Sequence, residues 1–344
     1  MYHIEKAVRS LNTKPLLTAT ARASRRTETM TDNFYMNGSL PPCGSVPVNK
    51  PFSKDIRAKL SVFAVSDGYG SEDTAANAAH KVLSVLKKHH DHLGTVTVEA
   101  INSVIEPFAE EANSFMQSLG TDAGASLAML VISHGVATAL NTGNARVYSF
   151  KYGRLNRLTV DDTETQHLLN IGAIRREEAK DHVGRRTLTA SIGKLNMQEG
   201  QKMHMSSPMP VESGDIFLLC SNGLSDYLSD DRISYILSLR MSNERLAQRL
   251  VSEAIARGAD DNLTVVIVRS GKNVKPSRVN KGLLKIGVCV ILLAILAAYL
   301  LSKPWADHAP YPAEETPTVS PSPTPASVLS SAPPVEQGGF ELRE

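Results

Sequence analysis

Three strand-forming runs in this chain abut short acidic turns: VFAVSDGYGS around Asp67, LLCSNGLSD leading to Asp226, and ADDNLTVVIV around Asp261. A strand that meets an Asp-Gly or Asp-Asn turn aims a carboxylate from a fixed point. Hard cations such as Mg²⁺ and Mn²⁺ want several oxygen ligands drawn from different parts of a chain. The pattern therefore points to a metal centre assembled from strand ends. At the middle turn Asn222 stands where an acid is expected, so a negative charge is missing there.

The 344 residues, 42% hydrophobic, are enough to bury a sizeable core in one large domain or two small ones. A formal net charge of +2 is close to balance, and no basic stripe of the kind a nucleic-acid binder needs is present. Cys43, Cys220 and Cys289 lie far apart with no CxxC pair, which argues against a disulfide framework or zinc site and for a reducing compartment.

Between about Leu60 and Arg269, strand and helix signals alternate across short turns. Ala75, Ala79, Val82, Leu83 and Leu86 fall on one helical face, as do Ile101, Ile105, Phe108, Ala112, Phe115, Met116 and Leu119; both stripes are expected to face a core. Strands are expected over Ala125–Ile132, Val136–Asn141, Arg146–Phe150 and Arg154–Leu158, with Asn33 to Tyr35 in another. Gly143-Asn144 and Lys151-Tyr152-Gly153 read as hairpin turns, so the pairing should be antiparallel and the domain layered α+β rather than doubly wound. His89, His90 and His92 around Asp91 are expected in solvent, against the dipole of a helix end. Asp161-Asp162 and Asp230-Asp231 read as loop or helix-start acids, with Ser229 an N-cap.

The N-terminus, MYHIEKAVRSLNTKPL, has no apolar core of the signal-peptide kind. Near the other end, IGVCVILLAILAAYLL from Ile286 to Leu301 is uncharged, and Leu283 and Leu284 extend it past Lys285. A run of this length approaches the ~20 residues that cross a bilayer as a helix. Lys272, Lys275, Arg278, Lys281 and Lys285 lie on or before its start and only Lys303 follows closely, which orients the preceding domain to the cytoplasm. The expected organisation is an N-terminal tail (1–14), a folded domain (15–271), a basic juxtamembrane linker (272–282), one transmembrane helix (283–302) and a disordered Pro/Ser/Thr-rich outer tail (303–344).

The order of motifs carries a resemblance. Asp32-Asn33-Phe34-Tyr35, Phe63 to Gly70 with its Asp67-Gly68 turn, Gly124-Ala125-Ser126, Thr142 to Tyr148, Leu158 to Asp162, Gly214 to Asp226 and Asp261 to Val266 occur in the sequence of the metal-dependent serine/threonine protein phosphatases of the PPM type, bacterial signalling branch. Either acidic turn alone would read as an ordinary turn; their combination resembles that family from about Thr27 to Arg269. The resemblance implies a four-layer α-β-β-α sandwich of two antiparallel sheets. It also implies hydrolysis of phosphoserine or phosphothreonine in phosphoproteins, opposing a serine/threonine kinase. In the family, two Mn²⁺ or Mg²⁺ ions share a bridging carboxylate, lower the pKa of a bound water and hold the phosphoryl oxygens.

Carried over by position, Asp67 is the bridging ligand, the Gly68 carbonyl a second ligand, Asp261 a further carboxylate, and Asp226 part of an additional, weaker site. Arg26 is the candidate phosphate-binding residue, although Thr27 occupies the family's arginine position. Three departures cluster where charge is needed: Thr31 for a Glu or Gln, Asn144 for the hairpin Asp, and Asn222 for the Asp of the Ser-Asp-Gly turn, the last two each removing a negative charge. Unit charges 4 Å apart at an effective dielectric near 20 interact by roughly 4 kcal/mol, and a divalent ion doubles this. Losing even a third of that weakens an ion site by about several tens-fold. Two functions are therefore open: weak or non-catalytic phosphoprotein binding, which the lost charges favour, and an active Mn- or Mg-dependent phosphatase.

Overall fold

Stretches such as Val62 to Val65 and Gly124 to Ser133 put apolar residues at successive positions, the pattern of a strand covered on both faces. The computed structural model describes residues 16–93, 101–118, 122–196, 200–271, 290 and 292–299. The chain divides into two units, Met1–Ser277 and Arg278–Glu344. In the first, the elements in order are β1 (Leu16–Ser24), β2 (Asp32–Met36), β3 (Phe52–Arg57), β4 (Leu60–Tyr69), α1 (Glu72–Leu93), α2 (Asn102–Ser118), β5 (Gly124–Ser133), β6 (Val136–Thr142), β7 (Arg146–Lys151) and β8 (Arg154–Arg157). There follow α3 (Glu164–Asn170), α4 (Arg176–Ala179), β9 (His204–Met205), β10 (Met209–Pro210), β11 (Ile216–Cys220), α5 (Asn222–Ser225), α6 (Asp230–Ser238), α7 (Asn243–Ala256) and β12 (Leu263–Ser270).

The strands form two sheets, β3-β1-β12-β11-β7-β8 and β10-β6-β5-β4-β2, with β9 pairing β6. Every strand pair within them is antiparallel. Period-two alternation sorts each strand between two cores. Leu17, Ala19 and Val266 of the first sheet meet Phe63, Val65 and Leu130 of the second in the central core. The opposite faces, with Val62, Ala64 and Met129, pack under Leu83, Leu86 and Phe108 of α1 and α2. Leu218, Cys220 and Ile267 pack under Ile233, Leu246 and Leu250 of α6 and α7. The layers are thus helices, sheet, sheet, helices. Both expected stripes are buried apart from Phe115, which is partly buried, and Leu119, which lies outside the described residues. Ser229 and Ser242 cap α6 and α7 by accepting from the Arg232 and Arg245 amides.

Two local expectations are corrected. Lys151-Tyr152-Gly153 does join the paired strands β7 and β8, but Gly143-Asn144 is not a hairpin turn. β6 belongs to one sheet and β7 to the other, so the turn carries the chain across the central core. Gly143 has φ +85°, and a Cβ there would lie 2.5 Å from the Ser126 Cβ; the left-handed bend and close approach lift the chain out of its sheet. Of the histidines ending α1, His92 is exposed as expected, but His89 and His90 are partly buried. The last turns of α1 pack on β2 and α2, placing His90 Nδ1 2.8 Å from the Tyr35 hydroxyl and His89 Nε2 3.0 Å from Glu111 Oε2.

Of the expected span 283–302, only residues 290 and 292–299 are described; they are helical, with Leu292, Leu293 and Leu296 exposed. Among the described residues no helix is long and apolar enough to cross a membrane. The rest of the span, with segments 1–14, 272–282 and 303–344, lies outside the described residues.

Gly143→Ala combines left-handed strain with overpacking against Ser126, and is expected to cost about 1–3 kcal/mol. Thermal denaturation should show a Tm lower by roughly 2–4 °C for each kcal/mol lost. An unchanged Tm would show that the crossover tolerates a side chain.

Candidate metal centre

The antiparallel register of β2 on β4 sets Asp32 directly opposite Asp67, two carboxylates side by side at the end of one sheet. From the other sheet, β11 ends and β12 begins at the same place, so that Ser221 and Thr264 meet. The Ser221 hydroxyl donates to Asp32 Oδ2 at 2.8 Å and accepts from the Thr264 amide at 3.0 Å, tying the two sheets together at the acids. Asp32 is 1% exposed, and its Oδ1 is buried with no hydrogen-bond partner.

Asp261 and Asn222 complete the group. Asn222, 6% exposed, begins α5, and its amide nitrogen lies 3.4 Å from Asp261 Oδ2 while its own Oδ1 is buried and unpartnered. Gly68 follows Asp67 where α1 crosses the strand; a Cβ there would stand 1.9 Å from the Ala75 carbonyl oxygen, so only glycine permits this approach. Its amide is held by the Thr31 carbonyl at 3.2 Å.

The electrostatics follow from the crowding. Burial, and then the neighbouring Asp261 charge, raise the Asp32 carboxyl to about 6 in spite of the Ser221 hydrogen bond. Burial raises Asp67 well above the carboxylate range, with further pushes from Asp32, Asp261 and Asp226. Four acids from four chain segments therefore feel one another. Two buried oxygens, Asp32 Oδ1 and Asn222 Oδ1, lack partners beside them. This is a donor set suited to a hard cation, which would relieve the repulsion and satisfy both oxygens. Among the described residues no three His, Cys, Asp or Glu side chains are grouped closely enough to hold an ion on their own. An ion here would therefore draw on amide and main-chain oxygens as well as carboxylates.

The remaining expected residues are placed around this group. Thr31 Oγ1 accepts from Asn262 Nδ2 at 2.9 Å. Arg26 donates Nε to the Ala259 carbonyl at 2.9 Å, which holds it exposed beside the turn that carries Asp261. Asn144 is buried in the crossover turn, and among the described residues no hydrogen bond joins it to these acids. Asp226 Oδ2 accepts from Arg186 Nε at 2.7 Å.

Two residues of the site were not singled out from sequence. Asp32 stands in the sequence only as the start of a motif, and the signal that finds it is its strand register with Asp67. Asn262, 1% exposed, gathers the 26–31 segment: its Oδ1 accepts from the Arg26 amide, and its Nδ2 donates to Thr27 Oγ1, the Thr29 carbonyl and Thr31 Oγ1.

Because the folded state raises the Asp32 pKa above its ordinary 3.8 to about 6, it holds a proton there that the unfolded chain has lost. The stabilising contribution is complete below about pH 3.8 and is lost as pH rises through about 6. With a chelator present at pH 7.5, Asp32→Asn, which keeps an acceptor for Ser221, should raise Tm by about 2–4 °C, equivalent to about 1 kcal/mol. The gain should shrink at pH 5. A lower Tm at pH 7.5 would show that repulsion is not what shapes this site.

No family model matches the chain. The serine/threonine phosphatase Stp of Listeria monocytogenes is 26% identical over 214 residues, covering 62% of this chain and 78% of the relative. The serine/threonine protein phosphatase PstP of Mycobacterium tuberculosis is 29% identical over 220 residues, 62% of this chain and 41% of the relative. Among solved structures, the S. agalactiae serine/threonine phosphatase superposes with a TM-score of 0.62 at 20% identity, covering 74% of this chain and 99% of that one. The catalytic domain of PstP in complex with two manganese ions gives 0.57 at 22% identity, covering 75% and 99%. The expected two-sheet architecture is therefore the fold of known phosphatases, and by fold and sequence together the chain is a relative of the bacterial PPM-type serine/threonine phosphatases.

Proposed function

We propose that this domain recognises phosphoserine- or phosphothreonine-bearing proteins through a Mn²⁺- or Mg²⁺-binding acidic site, and that hydrolysis there is slow or absent. The observation that carries the reading is Asn222 against Asp261: an amide faces a carboxylate where the family pattern has two acids. Asp67, the Gly68 carbonyl and Asp261 are the proposed ligands, supplemented by the orphaned oxygens of Asp32 and Asn222. Bound there, such ions supply Lewis-acid polarisation of a phosphoryl group and a water of lowered pKa. The chain's own residues prepare the site. Ser221 fixes Asp32, Asp32 fixes the charge beside Asp67, and Asn262 orders the segment bearing Arg26. Arg26, exposed at the rim, is the proposed contact for phosphoryl oxygens.

Turnover of a phosphothreonine peptide by the full-length chain in Mn²⁺ is expected below ~1 s⁻¹, the lower end of ordinary enzyme rates. A rate at or above that, abolished by Asp67→Ala, would establish a working phosphatase instead. Restoring the charges with Asn222→Asp and Asn144→Asp should tighten Mn²⁺ binding at least about tenfold, since anionic oxygens are the stronger ligands. Unchanged affinity in a calorimetric titration would mean that these turns do not face the ion.

The domain is proposed to be anchored by a single span at 283–302, cytoplasmic on its N-terminal side and opposing or reporting on a serine/threonine kinase. The basic residues from Lys272 to Lys285 support that orientation. Protease added to intact cells should remove a tag placed at Glu344 and spare one at Met1. The reverse pattern, or release of the whole chain by a salt wash, would contradict the anchor.

A further inference from the structure

The acid that the family pattern gives to an additional metal ion already has a cation on it. Arg186 ends a 3₁₀ turn, Val183–Arg186, in the segment between α4 and β9. Its Nε donates to Asp226 Oδ2 at 2.7 Å, while Nη2 donates to the Tyr227 hydroxyl at 3.0 Å and to Asp260 Oδ1 at 3.1 Å. Tyr227 donates to Asp260 Oδ1 in turn at 2.5 Å, closing a ring of one guanidinium, two carboxylates and a phenol. The Asp226 side chain is 9% exposed and Arg186 37%, so the carboxylate is recessed and the guanidinium covers it from the surface.

The turn is built to deliver this side chain. Glu164 at the start of α3 packs at Gly184, where a Cβ would lie 2.8 Å from its Oε2. The Gly184 amide donates to His182 Nδ1 at 3.0 Å, and that nitrogen lies 2.8 Å from Thr165 Oγ1. The Glu164 amide donates to the Thr187 carbonyl at 3.0 Å on the far side. Arg185, next in sequence, turns away and donates to the Lys180 carbonyl.

We propose that Arg186 takes the place of a divalent ion at Asp226, so that this carboxylate anchors a guanidinium and is not a metal ligand. A guanidinium stays charged at any pH a protein tolerates and offers a fixed fork of donors. An ion entering at Asp226 would have to displace three hydrogen bonds or sit beside a like charge. Asp226 still acts on the main site, because its charge is among those that raise Asp67. The inference rests on the proposed function only for the presence of a cation site next to Asp226.

The test is Mn²⁺ titrated into the full-length chain, with bound ions counted by calorimetry and by electron paramagnetic resonance. Arg186→Met should bind one Mn²⁺ more per chain than the wild type, and Arg186→Met with Asp226→Asn should return to the wild-type count. Arg186→Lys, which keeps a charge, should not add an ion. Asp226→Asn alone should leave the wild-type count unchanged and its affinity within about twofold. Loss of an ion, or an affinity drop of tenfold or more, in Asp226→Asn would overturn the proposal, as would no gain in Arg186→Met with its thermal melt intact. If Arg186→Met does not fold, the Asp226→Asn result decides alone. A wild-type chain that binds no Mn²⁺ would defeat the proposed function, and the difference between Arg186→Met and wild type would still decide the role of Arg186.

Discussion

The hydroxyl of Ser221 on the Asp32 carboxylate joins the two sheets at the point where their strand ends meet. Without that bond, Asp32 would be a buried carboxylate with neither oxygen satisfied, since its other oxygen already lacks a partner. Burying an ionised group unpaired is costly, and proteins that do so hold the group for a reason beyond stability. Here the fold spends its sheet-to-sheet contact on keeping an acid next to Asp67. The strand register of β2 on β4 then makes the crowding unavoidable.

Around that fixed pair, the proposed reading has charge thinned and not removed. Asn222 faces Asp261 with an amide, and Thr31 serves Asn262. Asp226 is matched by Arg186. Each replacement keeps a polar atom in a connected network while lowering the negative field a cation would meet. On the proposed reading the geometry of a phosphatase fold is present with a weaker electrostatic pull, and the fold alone does not decide how much chemistry survives.

Much of this was legible in the sequence because strand and helix periodicities are strong where both faces or one stripe are buried. The run from Ala125 to Ile132 became β5 with each boundary shifted by one residue, and the stripe from Ala75 to Leu86 lies inside the longer helix α1. What failed was pairing. Gly143-Asn144 has the local chemistry of a hairpin, but its glycine serves a crossover whose close neighbour, Ser126, lies on another strand. His89 and His90 likewise read as solvent groups until Glu111 and Tyr35 are brought to them by tertiary packing. At the site, the acidic turns were visible as motifs. The partnership of Asp32 with Ser221 and of Arg186 with Asp226 spans 189 and 40 residues, and no local pattern encodes it.

The central claim is that mutual repulsion among Asp32, Asp67 and Asp261 is held in place for a cation. Anomalous diffraction from crystals grown in Mn²⁺ tests it most directly. The account predicts a manganese peak against the carboxylates of Asp67 and Asp261, with Arg186 still seated on Asp226. A map with no peak at those carboxylates, at Mn²⁺ concentrations well above those in a cell, would contradict it.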